Sequence, residues 1–221
     1  PFHLYIQDVF PTPGDSSSCS VQIHHPAYGE APLDWTLNQG RPPNACREEY
    51  LLRCFGLRPR NQITGKLHSG WKNPLLNANY YMRAYWFQTH YGRWFKELWD
   101  GYILQLVSVH RSHPWAWVNL TRDPVGEPYK LAQFNKAHAI ACERIGLTVA
   151  KNLGTTPHGH RHAYGQRLKL AEIDAAHIKI FMHHKSLEAQ TAYTTPSHAE
   201  LAKAIAEGMD KITNKNPHPD A

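Results

Sequence analysis

Long apolar runs are missing from this 221-residue chain. None approaches the roughly 20 residues that a membrane-spanning helix needs, so a membrane protein is not expected. Cysteines are few: Cys19, Cys46, Cys54 and Cys142 lie far apart, without C-x-x-C spacing. That pattern excludes a zinc ribbon or a disulfide framework and favours reduced cytosolic thiols. Pro1-Phe2-His3-Leu4-Tyr5 supplies neither an initiator methionine nor a basic n-region leading into an apolar h-region, so the numbering is expected to start inside a longer reading frame. Internal repeats and low-complexity tracts are absent, and one domain is the default for this length. Acidic residues are in deficit, with Asp+Glu 18 against Lys+Arg 24. The resulting net charge of +6, with sixteen histidines counted neutral, favours a polyanionic partner without identifying one.

The opening alternates apolar and polar residues from His3 to Phe10, breaks at Pro11-Thr12-Pro13-Gly14-Asp15-Ser16, and resumes from Cys19 to His24. Period-two alternation around such a break predicts a β-hairpin. Residues 26–70 are irregular and interrupted by prolines, with one short helix expected over Ala45–Phe55. A loop of that length reads as an insertion or a functional segment. Trp71-Lys72-Asn73-Pro74-Leu75-Leu76 is expected to close the sheet as a third strand, and Trp115–Leu120 to form another short one. Helical spacing of Phe95, Leu98, Trp99, Tyr102, Ile103 and Leu106 predicts an amphipathic helix over Gly92–Val109. The tryptophans at 86, 94, 99, 115 and 117 are assigned to core packing. Further helices are expected over Leu131–Ile145, stopped by Gly146, and over Pro157–Leu170 and Ile173–Met182. A last one is expected over Ser197–Ile212, where Ser197 and Glu200 have capping-box spacing. The fold class expected is mostly α with a small three-stranded antiparallel β-sheet.

The chemistry concentrates in Thr155-Thr156-Pro157-His158-Gly159-His160-Arg161-His162, then Met182-His183-His184-Lys185-Ser186, then Thr191-Ala192-Tyr193-Thr194. Three positions apart on a helix, His158 and Arg161 share a face near its positive N-terminal end and can meet one anion. His184 follows the next helix, and Tyr193 lies nine residues beyond it. An imidazole, a guanidinium and a phenol converging on a phosphate supply a nucleophile and stabilisers for charge developing on phosphoryl oxygens. Imidazoles two or four apart among positions 158, 160, 162, 183 and 184 would also suit zinc or nickel. Acidic neighbours are scarce and no H-E-x-x-H pattern occurs, so no metal is expected.

The ordered pattern H-x-x-R-H, a hydrophobic-x-His element and Thr-x-Tyr resembles the C-terminal signature of the tyrosine recombinase and phage integrase family. It covers about the final third of the chain. Gly70–Leu76 and Thr155–Gln166 look more particularly like the recombinases of gamma-mobile-trio elements. The resemblance implies a tyrosine recombinase catalytic-domain-like fold over 1–213, an insertion at about 26–70 and a flexible tail at 214–221. It implies site-specific DNA recombination or integration through a 3′-phosphotyrosyl intermediate on Tyr193, needing no metal, ATP or other cofactor. Arg161 matches the family's second arginine, His158 the histidine of the H-x-x-R box, and His184 the later His/Trp position. Lys72 is the candidate for the lysine that protonates the leaving 5′-oxygen, with Lys66 its competitor. Arg161, His162 and Lys185 are expected to contact DNA. The implied partners are double-stranded DNA and three further copies of the chain, a homotetramer, in a bacterial, nucleoid-associated cytoplasmic setting.

Three departures accompany the match. No residue here matches the family's first arginine, so this stretch is expected to be inactive alone. His160 stands where leucine is usual, and His183 where glycine is usual, which puts the local turn in question. The alternative, from a different class, is a catalytically inactive DNA-binding remnant that regulates an intact recombinase.

Overall fold

The computed structural model describes residues 2–38, 40 and 45–186. They form six α-helices, a single 3-10 turn and a small three-stranded antiparallel sheet. The helix expected over Ser197–Ile212 lies outside the described residues.

Alternation in the opening segment produces the hairpin. Strand β1 (Val9–Thr12) pairs with β2 (Asp15–His24) through Val9↔Val21, Phe10↔Ser20 and Pro11↔Cys19, and the register then shifts to Thr12↔Asp15. The third strand is not Trp71–Leu76 but β3, Tyr81–Arg83, which pairs with the far end of β2 through His24↔Tyr81, Ile23↔Met82 and Gln22↔Arg83. Two local features explain the correction. Asn73 is left-handed (φ 51°) immediately before Pro74, which ends any strand there, and the Leu75 N–H goes to the His183 carbonyl (3.0 Å) instead of a sheet neighbour. The Asn77 side-chain oxygen then accepts from the N–H groups of Asn79 (3.1 Å) and Tyr81 (3.0 Å), turning the chain into β3.

Helices α1 (Leu33–Asn38) and α2 (Arg47–Phe55) occupy the irregular region. The first was not expected, because Leu33 and Leu37 are both exposed and leave no apolar face to read. Helix α3 (Thr89–Leu106) lays Phe95, Trp99, Tyr102 and Ile103 against Leu4 and against Val9, Cys19 and Val21 of the hairpin, which is the main core. Two expected core residues, Leu98 (75 % exposed) and Trp94 (59 %), face outward instead. They stand on the side of α3 turned away from the sheet. Trp115–Leu120 is not a strand; it makes only the single bridges Tyr5↔Trp115 and Val118↔Pro128. Helix α4 (Leu131–Arg144) is followed by the left-handed Gly146 (φ 74°), as expected. Helices α5 (Pro157–Leu170) and α6 (Ala175–Phe181) share a smaller core of Leu168, Ile178 and Met182, covered by Phe87, Tyr164, Ile173 and Phe181.

Buried polar groups tie these parts together. Arg60 is fully buried and donates to the carbonyl of nearby Leu67 (2.8 Å) and to those of Phe2 (3.1 Å) and Tyr129 (3.0 Å) from distant segments. All four cysteines are free. Burial pushes the imidazoles of His3 and His24 down to about 4 and about 3. Below pH 6.5 the unfolded chain takes up protons at these positions while the folded chain does not, so acid favours unfolding. Each displaced imidazole is worth about 1.4 kcal/mol per unit of displacement. The melting temperature is therefore expected to fall from pH 6.5 to about 4, and a His3→Asn/His24→Asn variant to show a shallower fall. An equal slope in the variant would contradict this account.

Candidate phosphate-binding site

The site is built at the start of α5. Thr156 is extended and Pro157 takes the first helical position, where its missing N–H costs nothing. The preceding loop is held close. The Gly154 N–H bonds the Lys151 carbonyl (3.2 Å), and the Thr155 hydroxyl accepts from the Ala150 N–H (2.8 Å). Gly159 packs so tightly on this loop that a Cβ there would stand 1.7 Å from the Gly154 carbonyl oxygen. Only glycine fits between His158 and His160.

Helix α6 delivers the second half. Asp174 caps it, accepting from the N–H groups of Ala176 (2.9 Å) and His177 (3.1 Å). At its other end the His184 N–H returns to the Lys179 carbonyl (2.9 Å) and the His183 N–H to that of Ile180 (3.0 Å). With His183 left-handed at φ 54°, this is a Schellman ending. The turn in question at 183 is therefore formed, by a histidine in the conformation that glycine adopts more cheaply. The ending places His184, itself buried, beside α5, and the Arg161 guanidinium donates to the Met182 carbonyl across the two helices.

Arg161 is the electrostatic hub. Burial first, then positive charge on His162, Arg161, Lys72 and Lys151, lowers the pKa of His158. Burial and then Arg161 lower that of His184, while burial, Arg161 and His184 bring His183 down to about 4. Among the described residues, the charges acting on His158 and His183 are all positive. No carboxylate forms an ion pair with Arg161, Lys72 or Lys151 among the described residues. The arrangement holds neutral imidazoles beside permanent cations, which is what an anion site needs before its anion arrives.

No family model, curated protein or solved structure matches the chain.

Of the sequence-predicted site residues, His158, Arg161, His184 and Lys72 gather here. Lys72 arrives on the segment that the Leu75–His183 hydrogen bond fastens to the end of α6. Lys66 sits in an exposed turn and is not among the charges acting on His158. His162 stacks edge-on against His158 (ring centroids 4.7 Å, 89°), and Lys185 is exposed just past His184. Tyr193 lies outside the described residues. Lys151 was missed, because a lysine in a loop before a helix carries no spacing signal. His160 points elsewhere, placing its Nε2 3.0 Å from that of His138 on α4, so it joins the two helices. Among the described residues no three His, Cys, Asp or Glu side chains gather as a metal ion would require.

Proposed function

We propose that the chain binds the DNA backbone through this cluster and acts as a tyrosine-type strand-transfer enzyme, as the sequence resemblance implies. The observation that carries the reading is the one-sided electrostatics around Arg161. The positive charges of Arg161 and Lys72 both act on His158, and that of Arg161 acts on His184 as well.

In this reading Arg161 binds the non-bridging oxygens of the scissile phosphate through its planar fork, with His184 adding a hydrogen bond. The Tyr193 phenol oxygen attacks phosphorus and gives up its proton to His158, whose lowered pKa keeps it neutral and able to accept. The bond to the 5′-oxygen breaks, Lys72 supplies the proton to that oxygen, and a 3′-phosphotyrosyl link remains. Attack by another strand's 5′-hydroxyl reverses these steps and rejoins DNA, so no external energy source is required. Lys151 extends the cationic surface to a neighbouring phosphate. The proposed assembly is a homotetramer on two duplexes.

The test uses the full-length protein with a nicked suicide duplex, separated under denaturing conditions. A covalent protein–DNA adduct that disappears in Tyr193→Phe is the expected result. An adduct that persists in Tyr193→Phe rejects Tyr193 as nucleophile. Tight, salt-sensitive DNA binding without any adduct would favour the inactive DNA-binding regulator instead.

A further inference from the structure

A cavity of about 360 Å³ lies between the 118–122 segment and α4, formed by residues that the site above does not use. Its volume falls in the range of small-ligand sites. Two cations line it, Arg122 and Lys136, and the lining contains no carboxylate. Neither cation has an ion-pair partner among the described residues.

The loop that carries Arg122 is rigidly built. Its arms are joined by backbone hydrogen bonds from Asn119 to Glu127 (2.9 Å), Gly126 to Asn119 (2.9 Å) and Tyr129 to Trp117 (2.8 Å). The buried His113 ring bonds the Gly126 carbonyl (2.9 Å), and a Cβ at Gly126 would meet the His110 carbonyl oxygen at 2.1 Å. A loop fixed on both arms holds its backbone in place beside α4, which favours binding by reducing the ordering cost.

The remaining walls divide into two kinds. Val118, Leu120, Ala137 and Ile140 are apolar, and Tyr129 adds an aromatic ring. Asn119 and Gln133 are largely engaged within the protein: Gln133 donates to Asn119 (2.7 Å) and accepts from the Lys130 N–H (2.8 Å), and Asn119 donates to the Pro124 carbonyl (3.4 Å). We infer that this cavity binds a nucleotide, with its phosphate between Arg122 and Lys136 and its base against the apolar wall. With both amides engaged, Thr121 is the one other uncharged hydrogen-bonding side chain on the lining besides the Tyr129 phenol, too little to tell base edges apart, so the four bases should bind about equally. The shared chemistry, a phosphate joined to a flat heteroaromatic ring, belongs equally to a free mononucleotide and to the end of a DNA strand.

Calorimetric titration of the full-length protein with 5′-AMP, a 5′-phosphorylated trinucleotide and inorganic phosphate separates these cases. Binding of AMP or of the trinucleotide is expected, with inorganic phosphate at least about tenfold weaker. Arg122→Gln/Lys136→Gln should weaken the nucleotide by about tenfold or more, consistent with losing hydrogen bonds to a charged group. Ala137→Phe, which fills the cavity and keeps both charges, should do the same. Arg122, Lys136 and Ala137 are all exposed, so folding is preserved. Binding of the trinucleotide alone identifies a strand end as the source, and binding of AMP as well identifies a free nucleotide. The inference is overturned if neither ligand binds, if binding survives either variant, or if inorganic phosphate binds as tightly as the nucleotides.

Discussion

Arg161→Ala is expected to lower the rate of covalent adduct formation at saturating DNA by roughly 10²–10³-fold, the scale of losing one preorganised donor to a transition-state oxyanion. The effect should be this large because Arg161 has two duties. Its guanidinium holds the Met182 carbonyl at the end of α6 and its charge acts on His158, His183 and His184. Removing it withdraws the fork from the phosphate and loosens the ending that positions His184.

Arg161→Lys separates the two duties. Lysine keeps a positive charge but lacks the planar fork, so it cannot span the carbonyl and a phosphate oxygen together. DNA affinity should recover most of the way in the lysine variant, while the adduct rate stays depressed. The rate loss is to be measured by single-turnover cleavage of the suicide duplex, and affinity by titration across several salt concentrations. A lysine variant that cleaves at the wild-type rate would show that only charge matters at 161, and the proposed bidentate contact would be discarded.

Local signals made α5 and α6 legible in the sequence. Pro157 at a first helical position, Asp174 as a cap and apolar residues at helical spacing all act within a few residues of the elements they define. The His158–Arg161 pair was legible for the same reason, since helical geometry alone puts positions three apart on one face. The third strand was not, because 71–76 and 81–83 are both short and each mixes apolar with basic residues. What separates them is a left-handed Asn73 and a hydrogen bond to His183, more than a hundred positions away. Lys151 was hidden in the same way, since only the packing of Gly159 on Gly154 brings its loop to the helix. The outward Trp94 and Leu98 show the opposite failure: α3 has more apolar residues than the sheet can cover, and periodicity does not say which are left over. Arginines 47 and 60 were read past because basic side chains are seldom fully buried.

Arg47 and its partner set the second large expectation, which concerns stability. Asp8 and Arg47 form an ion pair with both side chains only 2 % exposed. One Asp8 oxygen accepts from the Tyr5 N–H (2.7 Å) and from Arg47 Nη1 (2.9 Å), and the other accepts from Arg47 Nη2. The guanidinium also donates through Nε to the Glu30 carbonyl (3.0 Å) and lies 4.1 Å from the Tyr5 ring centroid. This one contact joins the turn before β1 to α2, and so fastens the irregular 26–70 region to the sheet. Asp8→Leu should cost about 3–5 kcal/mol, because it leaves a buried cation without its counter-charge. At this chain length that corresponds to a drop of roughly 6–20 °C in melting temperature. Arg47→Met should cost a similar amount by stranding the carboxylate. The double variant Asp8→Leu/Arg47→Met removes both charges together and should be more stable than either single variant, since apolar replacements for a buried pair are often neutral. Urea unfolding of the four proteins gives the coupling directly. Single variants that each cost under about 1 kcal/mol, with additive effects, would mean that the pair is solvated and that other contacts hold the 26–70 region in place.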